Sequence, residues 1–221
     1  MTGPDGRPSY RVRPVAADFR PGEAAAPWAA VPPLVIGHYL WLKTGYAPAV
    51  EARLCWSRRF LYVRFRVEEK RALVRYTKFQ DPVYKDSCVE FFIDACPEKK
   101  LGYVNFETNA AGTLLAAFGP ARDRRTPLRT EDLTGFEIAP SIHGPVAGEY
   151  GAEAWTIEYR LPLGLFSRLY GREIRRGGRA AANFYKCGDE TEIPHYGAWC
   201  AIETPAPDFH RPEFFGELVF D

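Results

Sequence analysis

Alternating apolar and polar residues mark short segments throughout the chain. In residues 61–67 the apolar side chains occupy every second position, with tyrosine or arginine between them. A period of two predicts a β-strand with one buried face. Residues 51–57 alternate in the same way, and the Arg58-Arg59 pair separates the two segments, which predicts a hairpin.

Strands of this kind dominate the predicted fold. Further alternating segments are 88–94, 102–109, 113–118, 155–161, 180–187 and 214–220. With less regular segments included, the chain holds about nine or ten strands, a number typical of a β-sandwich. Residues 162–171 predict a short helix. We therefore predict a mostly β fold, an antiparallel two-sheet β-sandwich with at most one or two short helices.

The length and composition favour one domain. Hydrophobic residues make up 46% of the 221-residue chain, enough for a sizeable core. We predict a single domain over residues 1–221, in which residues 1–30 form an extended, proline-marked lead-in. Residues 120–135 and 188–212 form long loops. Such loops are usually functional or disordered, and the aromatic residues of the second argue against disorder.

Two predicted strands carry rows of polar residues at a period of two. Asn105, Glu107 and Asn109 share one face of the first strand. Asn183 and Tyr185 share one face of the second. Unpaired polar groups in an apolar core cost free energy. These rows therefore face water, a ligand or a buried hydrogen-bond network.

A third polar group surrounds the start of the strand at 88–94. Tyr84, Lys85 and Asp86 precede this strand, and Glu90 lies within it on the face opposite its apolar residues. We expect the first three side chains to contact a ligand at the mouth of the strand. Glu90 contacts either the ligand or a buried network.

Three neighbouring polar rows would form a platform suited to a sugar. Carboxylates accept hydrogen bonds, amides donate and accept, and lysine donates, which matches the mixed needs of vicinal hydroxyl groups. Tyr84, Trp199 and Phe209 are candidate rings for the apolar face of a pyranose. Taken alone, each row is more often a solvated sheet surface; three rows together, with aromatic loops beside them, fit that surface and a binding platform about equally. Trp199 equally fits the core.

The second long loop adds His210 and Arg211 to the candidate contacts. A loop histidine is more often a hydrogen-bonded anchor than a ligand contact. Arg125, in the basic run 122–125, is either a solvated loop charge or a residue that reaches the site.

Charge and hydropathy exclude several partners. The chain has 29 basic and 28 acidic residues, a formal charge of +1, which gives no overall attraction to nucleic acid or an anionic membrane. No apolar stretch approaches the ~20 residues of a membrane helix. The polar start lacks an apolar signal region, so we expect a cytoplasmic protein. A secreted or periplasmic protein trimmed at its N-terminus would look the same.

The cysteines and histidines suggest no cofactor. The five cysteines are odd in number and lack CxxC spacing, so we expect reduced thiols, with no disulfide framework and no metal. A haem domain would need axial histidine or methionine, and Met1 is the only methionine.

Four stretches of the chain carry a family resemblance. Residues 84–94 (Tyr-Lys-Asp-Ser-Cys-Val-Glu-Phe-Phe-Ile-Asp) resemble the strand that follows the ligand loop in family 9 carbohydrate-binding modules. Residues 103–109, 183–189 and 207–216 resemble bacterial family-9-like proteins. The resemblance covers most of residues 30–221 and implies a DOMON-like β-sandwich that binds sugar without catalysis.

The resemblance also implies roles for single residues. Lys85 and Asp86 match a basic-acidic pair beside the ligand, and Glu107 lies on a strand that supplies a further polar contact. Asn183 matches a late asparagine contact. Family members hold a sugar end between two aromatic rings, but tryptophans are not evident at the expected places. Tyr84 is one candidate replacement.

The combined prediction is non-catalytic binding of a mono- or oligosaccharide, with no cofactor. A glycan-acting enzyme using the Asp86 and Glu107 carboxylates is one alternative, and a scaffold that has lost sugar binding is another. The candidate ligand contacts are Tyr84, Lys85, Asp86, Asn105, Glu107, Asn109, Asn183, Tyr185, Trp199, His210 and Arg211.

Overall fold

The computed structural model describes residues 6–221, which fold mainly into β-strands. The described part contains one α-helix, α1 (Leu163–Tyr170). Its strands are β1 (Ser9–Pro14), β2 (Leu34–Ile36), β3 (His38–Tyr39), β4 (Val50–Trp56), β5 (Phe60–Val67), β6 (Arg71–Val74), β7 (Cys88–Asp94), β8 (Tyr103–Asn109), β9 (Leu114–Gly119), β10 (Thr126–Pro127), β11 (Glu137–Pro140), β12 (Val146–Glu149), β13 (Trp155–Pro162), β14 (Arg179–Cys187), β15 (Tyr196–Ala198) and β16 (Gly216–Phe220). Short 3-10 turns lie at Pro27–Ala30, Val83–Lys85, Pro97–Lys99, Arg122–Arg124, Thr130–Leu133 and Pro212–Phe214.

One curled sheet contains most of these strands. Its first half has the order β10-β9-β8-β7-β14-β16, and its second half has the order β4-β5-β13-β11. β1 lies between the halves and pairs in parallel with both β16 and β4. The prediction of a mostly β fold is confirmed. The prediction of two separate antiparallel sheets is not, because hydrogen bonding continues through β1.

The regular segments of the sequence form the elements predicted from them. β7 spans the predicted residues 88–94, and α1 lies within the predicted helix at 162–171. Pro162 precedes the helix, and Gly171 ends it with a left-handed backbone (φ 59°). The unpredicted strands β2, β3, β6, β10, β11, β12 and β15 have only two to four residues. Strands this short show at most two repeats of a period of two, which is too few to identify a strand from the sequence.

The segment predicted as an extended lead-in contains a strand of the sheet. Tyr10 and Val12 of β1 point into the core, and the residues between and after them are more exposed. Residues 1–5 of this predicted segment lie outside the described residues. In residues 6–221, no helix is long and apolar enough to cross a membrane.

The core lies between the two halves of the curled sheet. Val89, Phe91 and Ile93 of β7 are fully buried there, as their alternation predicts. The Phe91 ring stacks on Phe184 of β14, with ring centroids 4.8 Å apart. The other face of β7 and β14 is consequently free to carry the polar rows.

A cluster of buried charged and polar side chains lies at the edge of this core. The Lys186 Nζ of β14 lies 3.4 Å from Glu69 Oε1 and 2.7 Å from His195 Nε2. Glu69 Oε2 also accepts from Trp155 Nε1 at 3.0 Å. Because an ammonium group only donates, His195 Nε2 is the acceptor and Nδ1 carries the proton toward the Ile193 carbonyl, 2.8 Å away. Burial, together with the Lys186 charge, lowers the pKa of His195 to about 3.

Because His195 is neutral in the folded protein, we expect the protein to lose stability in acid. Its folded pKa of about 3 lies below the ordinary value of 6.5, so the unfolded chain binds the proton first as pH falls. The contribution of His195 to the free energy of unfolding is complete above pH ~6.5 and decreases as the pH falls toward ~3. Urea unfolding should show that wild type loses about 2 kcal/mol more than His195→Gln between pH 7 and pH 5. Replacing the exposed His143 by glutamine is the control, and parallel profiles for wild type and His195→Gln would contradict the assignment.

Candidate functional site

The predicted polar rows lie side by side on one face of the sheet. β8, β7 and β14 are consecutive neighbours. Their registers place Glu90 of β7 opposite Glu107 of β8 and opposite Tyr185 of β14. Val89, Phe91 and Ile93 of β7 point to the core, and this second face carries the polar side chains together with the buried Phe92.

A cleft of about 410 Å³ opens over this face. Its volume is within the ~300–1,000 Å³ typical of small-molecule sites. The 3-10 turn before β7, the segment between β9 and β10, and the loop after β15 contribute its walls. The lining residues are Tyr84, Glu90, Glu107, Leu115, Arg122, Arg125, Cys187, Asp189, Tyr196, Pro207, Asp208, Phe209 and His210.

Two buried carboxyl groups form part of the cleft floor. Burial raises the pKa of Glu90 well above its usual range, and the Glu107 carboxylate raises it further. Burial also raises the pKa of Glu107, while the Arg125 charge and the Asn105 hydrogen bond lower it. Directly opposed carboxyl groups in a dry site favour one proton between them. The arrangement therefore favours the proton on Glu90, and Glu107, with a pKa raised to about 7, is the carboxyl group of the two that ionises first as pH rises.

Polar groups beside Glu107 remain without partners. Asn105 Nδ2 donates to Glu107 Oε1 at 2.9 Å, and Arg125 Nη1 lies 3.7 Å from the same oxygen. Asn105 Oδ1 and Arg125 Nη1 are both buried and have no hydrogen-bond partner among the described residues. Buried donors and acceptors in this state are satisfied by water or a ligand.

Aromatic rings supply the apolar part of the cleft. Phe209 stacks on Tyr185, with ring centroids 4.1 Å apart and an interplanar angle of 8°. The Tyr185 hydroxyl donates to the Phe209 carbonyl at 3.0 Å, which fixes the loop over the sheet. Tyr84 and Tyr196 also line the cleft and are only partly buried. Their rings are therefore available to a ligand.

His210 is held at the cleft wall by a second aromatic residue. Its Nδ1 is hydrogen-bonded to the Tyr103 hydroxyl at 2.8 Å. Burial, with the charges of Arg125 and Arg122, lowers the pKa of His210 to about 2. The ring is therefore neutral near pH 7. Arg122 Nη2 bonds Asp208 Oδ1 at 2.7 Å and links two segments of the wall.

Asp86 and Asn109 are directed away from the cleft lining. Asp86 is fully buried, and its Oδ2 accepts from the backbone nitrogens of Arg75 (2.8 Å) and Tyr76 (3.0 Å). Asn109 Nδ2 donates to the same oxygen at 3.1 Å, and Asn109 Oδ1 accepts from the Thr113 nitrogen at 3.0 Å. Both side chains fix backbone segments around the site.

Three more candidates support the fold behind the cleft. Asn183 Oδ1 accepts from the Cys200 nitrogen at 2.9 Å, and Asn183 Nδ2 donates to the Cys200 carbonyl at 3.0 Å. Trp199 packs in the core, with its ring centroid 5.7 Å from that of Phe184. Tyr185 is fully buried. None of the three lines the cleft.

Lys85 and Arg211 form ion pairs outside the cleft lining. Lys85 Nζ lies 3.0 Å from Glu190 Oε1. Arg211 Nε donates to Glu213 Oε1 at 2.8 Å. Of the predicted contacts, the structure thus brings Tyr84, Glu107 and His210 to the cleft surface, with Asn105 bonded to Glu107 behind it.

Sequence reasoning missed several lining residues. Arg122 belongs to a basic run in a long loop, which resembles an ordinary solvated segment. Asp189 and Tyr196 follow the polar row of β14, and that proximity is the signal that could have found them. Burial raises the pKa of Asp189 to about 6.

A sulfur-rich cluster lies at the same floor. Ligand atoms of Cys88, Glu90 and Cys187 all lie within 4.8 Å of one another. All five cysteines of the chain are buried and have free thiols. These three side chains are the ones suited to hold a metal ion among the described residues.

Several known proteins resemble this chain in sequence or in fold. Residues 27–220 match the sequence model of carbohydrate-binding family 9. A Bacteroides uniformis protein, described as a candidate carbohydrate-binding protein, has 29% identity and a TM-score of 0.83, over 96% of this chain and 99% of that one. No curated protein matches the sequence.

Two solved structures from Caldicellulosiruptor kristjanssonii share the fold at lower identity. A family 9 module in complex with glucose has 14% identity and a TM-score of 0.66, over 97% of this chain and 96% of that one. A family 9 module in complex with cellotriose has 13% identity and a TM-score of 0.61, over 96% and 93% of the two chains.

Proposed function

This chain belongs to carbohydrate-binding family 9, and we propose on that basis that its cleft binds a mono- or oligosaccharide without chemical conversion. The resemblance seen in residues 84–94 is thereby confirmed. The observation that carries the proposal is the convergence of Glu90, Glu107 and Arg125 in a cleft that also has aromatic walls. The bound glucose and cellotriose of the similar modules make glucose-containing saccharides the first class to test.

Each proposed contact has a distinct hydrogen-bonding capacity. A protonated Glu90 both donates and accepts, an ionised Glu107 accepts, and Arg125 only donates. Vicinal hydroxyl groups can satisfy all three at once, and the charged partners strengthen the bonds. The partly buried rings of Tyr84 and Tyr196 would cover the apolar C–H surface of the sugar.

The other predicted contacts take supporting roles in this proposal. Asn105 orients Glu107, while His210 presents a neutral ring to the ligand. Lys85 and Arg211 would contact only the outer sugar units of a longer saccharide. The remaining five candidates hold the backbone that shapes the cleft: Asp86, Asn109, Asn183, Tyr185 and Trp199.

Calorimetric titration tests the proposal directly. We expect saturable heat with at least one member of a panel that includes glucose, cellotriose and sugars of other configurations. The panel extends to millimolar concentration, and circular dichroism shows that the protein is folded. Absence of heat with every sugar would contradict saccharide binding.

Replacing Glu107 by glutamine should weaken sugar binding about tenfold or more. The substitution removes a charged acceptor, and hydrogen bonds to charged groups contribute about 1.5–3 kcal/mol. The measurement is the dissociation constant of the best saccharide, with Glu173→Gln as the control because Glu173 is exposed and does not line the cleft. An unchanged constant for Glu107→Gln would place the sugar elsewhere.

One observation favours a second candidate function, glycoside hydrolysis. A neutral Glu90 that faces an ionised Glu107 reproduces the acid and carboxylate roles of glycosidases. Glu90 replaces Asp86 in this alternative, because the Asp86 oxygens are occupied by backbone donors. Turnover of chromogenic glycosides that is lost in both Glu90→Gln and Glu107→Gln would support catalysis. Saccharide binding without turnover would support the binding proposal and contradict hydrolysis.

A further inference from the structure

Two strands bring a pair of thiols and a carboxyl group together at the cleft floor. Cys88 of β7 and Cys187 of β14 are directly opposed in the antiparallel register. Glu90 lies two residues beyond Cys88 and therefore points to the same face. The Cys187 thiol donates to Glu90 Oε1 at 3.1 Å. The rigid ladder, rather than a loop, fixes the spacing of these groups.

The donor set matches a soft or borderline divalent cation. Zinc is bound by cysteine sulfur at about 2.3 Å and by carboxylate oxygen at about 2.0–2.2 Å, usually in a tetrahedron. Two sulfurs on such an ion are about 3.8 Å apart. The ligand atoms of Cys88, Glu90 and Cys187 already lie within 4.8 Å of one another. Adjustments of less than about 1 Å would close the site.

A metal ion would reach these three side chains from the cleft. Glu90 and Cys187 are part of its lining, whereas Cys88 lies fully buried behind them. An ion held by these three groups would displace the protons of both thiols and of Glu90 to solvent and keep its fourth position toward the cleft. The further acidic groups Glu107 and Asp189 line the same cleft and favour a cation, while Arg125 limits the local excess of negative charge.

We propose that Cys88, Glu90 and Cys187 form a binding site for a thiophilic divalent cation of the zinc and cadmium type, with one coordination position open to the cleft. The site shares Glu90 with the proposed sugar contacts but does not depend on them. Its test is therefore made without sugar, so that either proposal can fail alone.

Cadmium titration of the reduced, metal-free protein provides the measurement. We expect sulfur-to-cadmium charge-transfer absorption in the near ultraviolet that rises linearly and stops at one equivalent per chain. Zinc added afterwards should compete for the same site and reduce the absorption. A folded protein that shows no charge-transfer band with stoichiometric cadmium would overturn the proposal.

Variants assign the band to the three residues. Cys88→Ser and Cys187→Ser should each weaken cadmium binding at least tenfold and lower the absorption. Glu90→Gln preserves both thiols, so it should retain the band but weaken binding. Cys55→Ala removes a buried thiol outside the cluster and should leave the titration unchanged, with circular dichroism as the folding check. Loss of the band in Cys55→Ala, or its retention at full affinity in both serine variants, would refute the assignment.

Discussion

Replacing Glu69 by glutamine is expected to lower the free energy of unfolding by about 3–5 kcal/mol. Glu69 and Lys186 are buried, with side chains 1% and 0% exposed, so the lysine would lose the only carboxylate that pairs with it within residues 6–221. Both Glu69 oxygens face donors, Lys186 Nζ and Trp155 Nε1. A glutamine must therefore turn its NH₂ group toward one of them.

Urea unfolding of matched variants measures this effect. Glu68→Gln is the control, because Glu68 is the neighbouring residue but forms an exposed pair with Arg66, and its loss should cost less than about 1 kcal/mol. Adding Lys186→Met to Glu69→Gln removes the unpaired charge and should recover most of the stability. A Glu69→Gln protein within 1 kcal/mol of wild type would contradict the role of this pair.

Replacing Asp86 by asparagine is expected to destabilise the fold by about 3 kcal/mol without weakening sugar binding. Its carboxylate accepts from two backbone nitrogens and from Asn109 Nδ2, and its Oδ1 accepts from Arg75 Nε at 3.2 Å. An asparagine presents a donor to at least one of these donors. The segment around Tyr76, which follows β6, would then lose its anchor.

Comparison with Glu107→Gln distinguishes a residue that supports the fold from one that contacts the sugar. Asp86→Asn should lower the urea midpoint and leave the saccharide dissociation constant within about twofold of wild type. Glu107→Gln should raise the dissociation constant and leave the urea midpoint close to that of wild type. The two residues belong to the same predicted binding face, so they form a matched pair. A loss of affinity in Asp86→Asn with unchanged unfolding would restore direct ligand contact for this carboxylate.

Local alternation was sufficient to predict the polar face over which the cleft lies. The rows containing Glu90, Glu107 and Tyr185 each follow a period of two, and a strand converts that period directly into one face. Their adjacency required only that β8, β7 and β14 pair. The apolar residues that separate them identify the core face at the same time.

Partners distant in sequence decided the details that alternation could not predict. Asp86 lies two residues before a strand, like a residue at the mouth of a site, but Arg75 and Tyr76 fold back on it from eleven and ten positions earlier in the chain. Arg125 belongs to a basic loop run, yet its side chain is only 17% exposed because its loop folds over the sheet beside Glu107. Neither contact leaves a local pattern in the sequence.

The same reason explains the incomplete prediction of the fold. Strands of five or more residues other than β1 are visible in the sequence, whereas β3 and β10 have two residues each. The position of β1 depends on parallel pairing with strands from distant parts of the chain. Alternation indicates which residues are buried, but it does not identify the neighbouring strand.

The parallel insertion of β1 makes the order of chain synthesis a constraint on folding. Ser9 of β1 pairs with Glu217 of β16, a partner 208 residues later in the chain. A nascent chain cannot join the two halves of its sheet through β1 until β16 has been synthesised. Contacts so distant in sequence slow folding, because a long loop must close before they form. The edge of β1 that pairs with β16 consequently stays open to wrong partners for most of translation, and chaperone demand should be greatest during that interval.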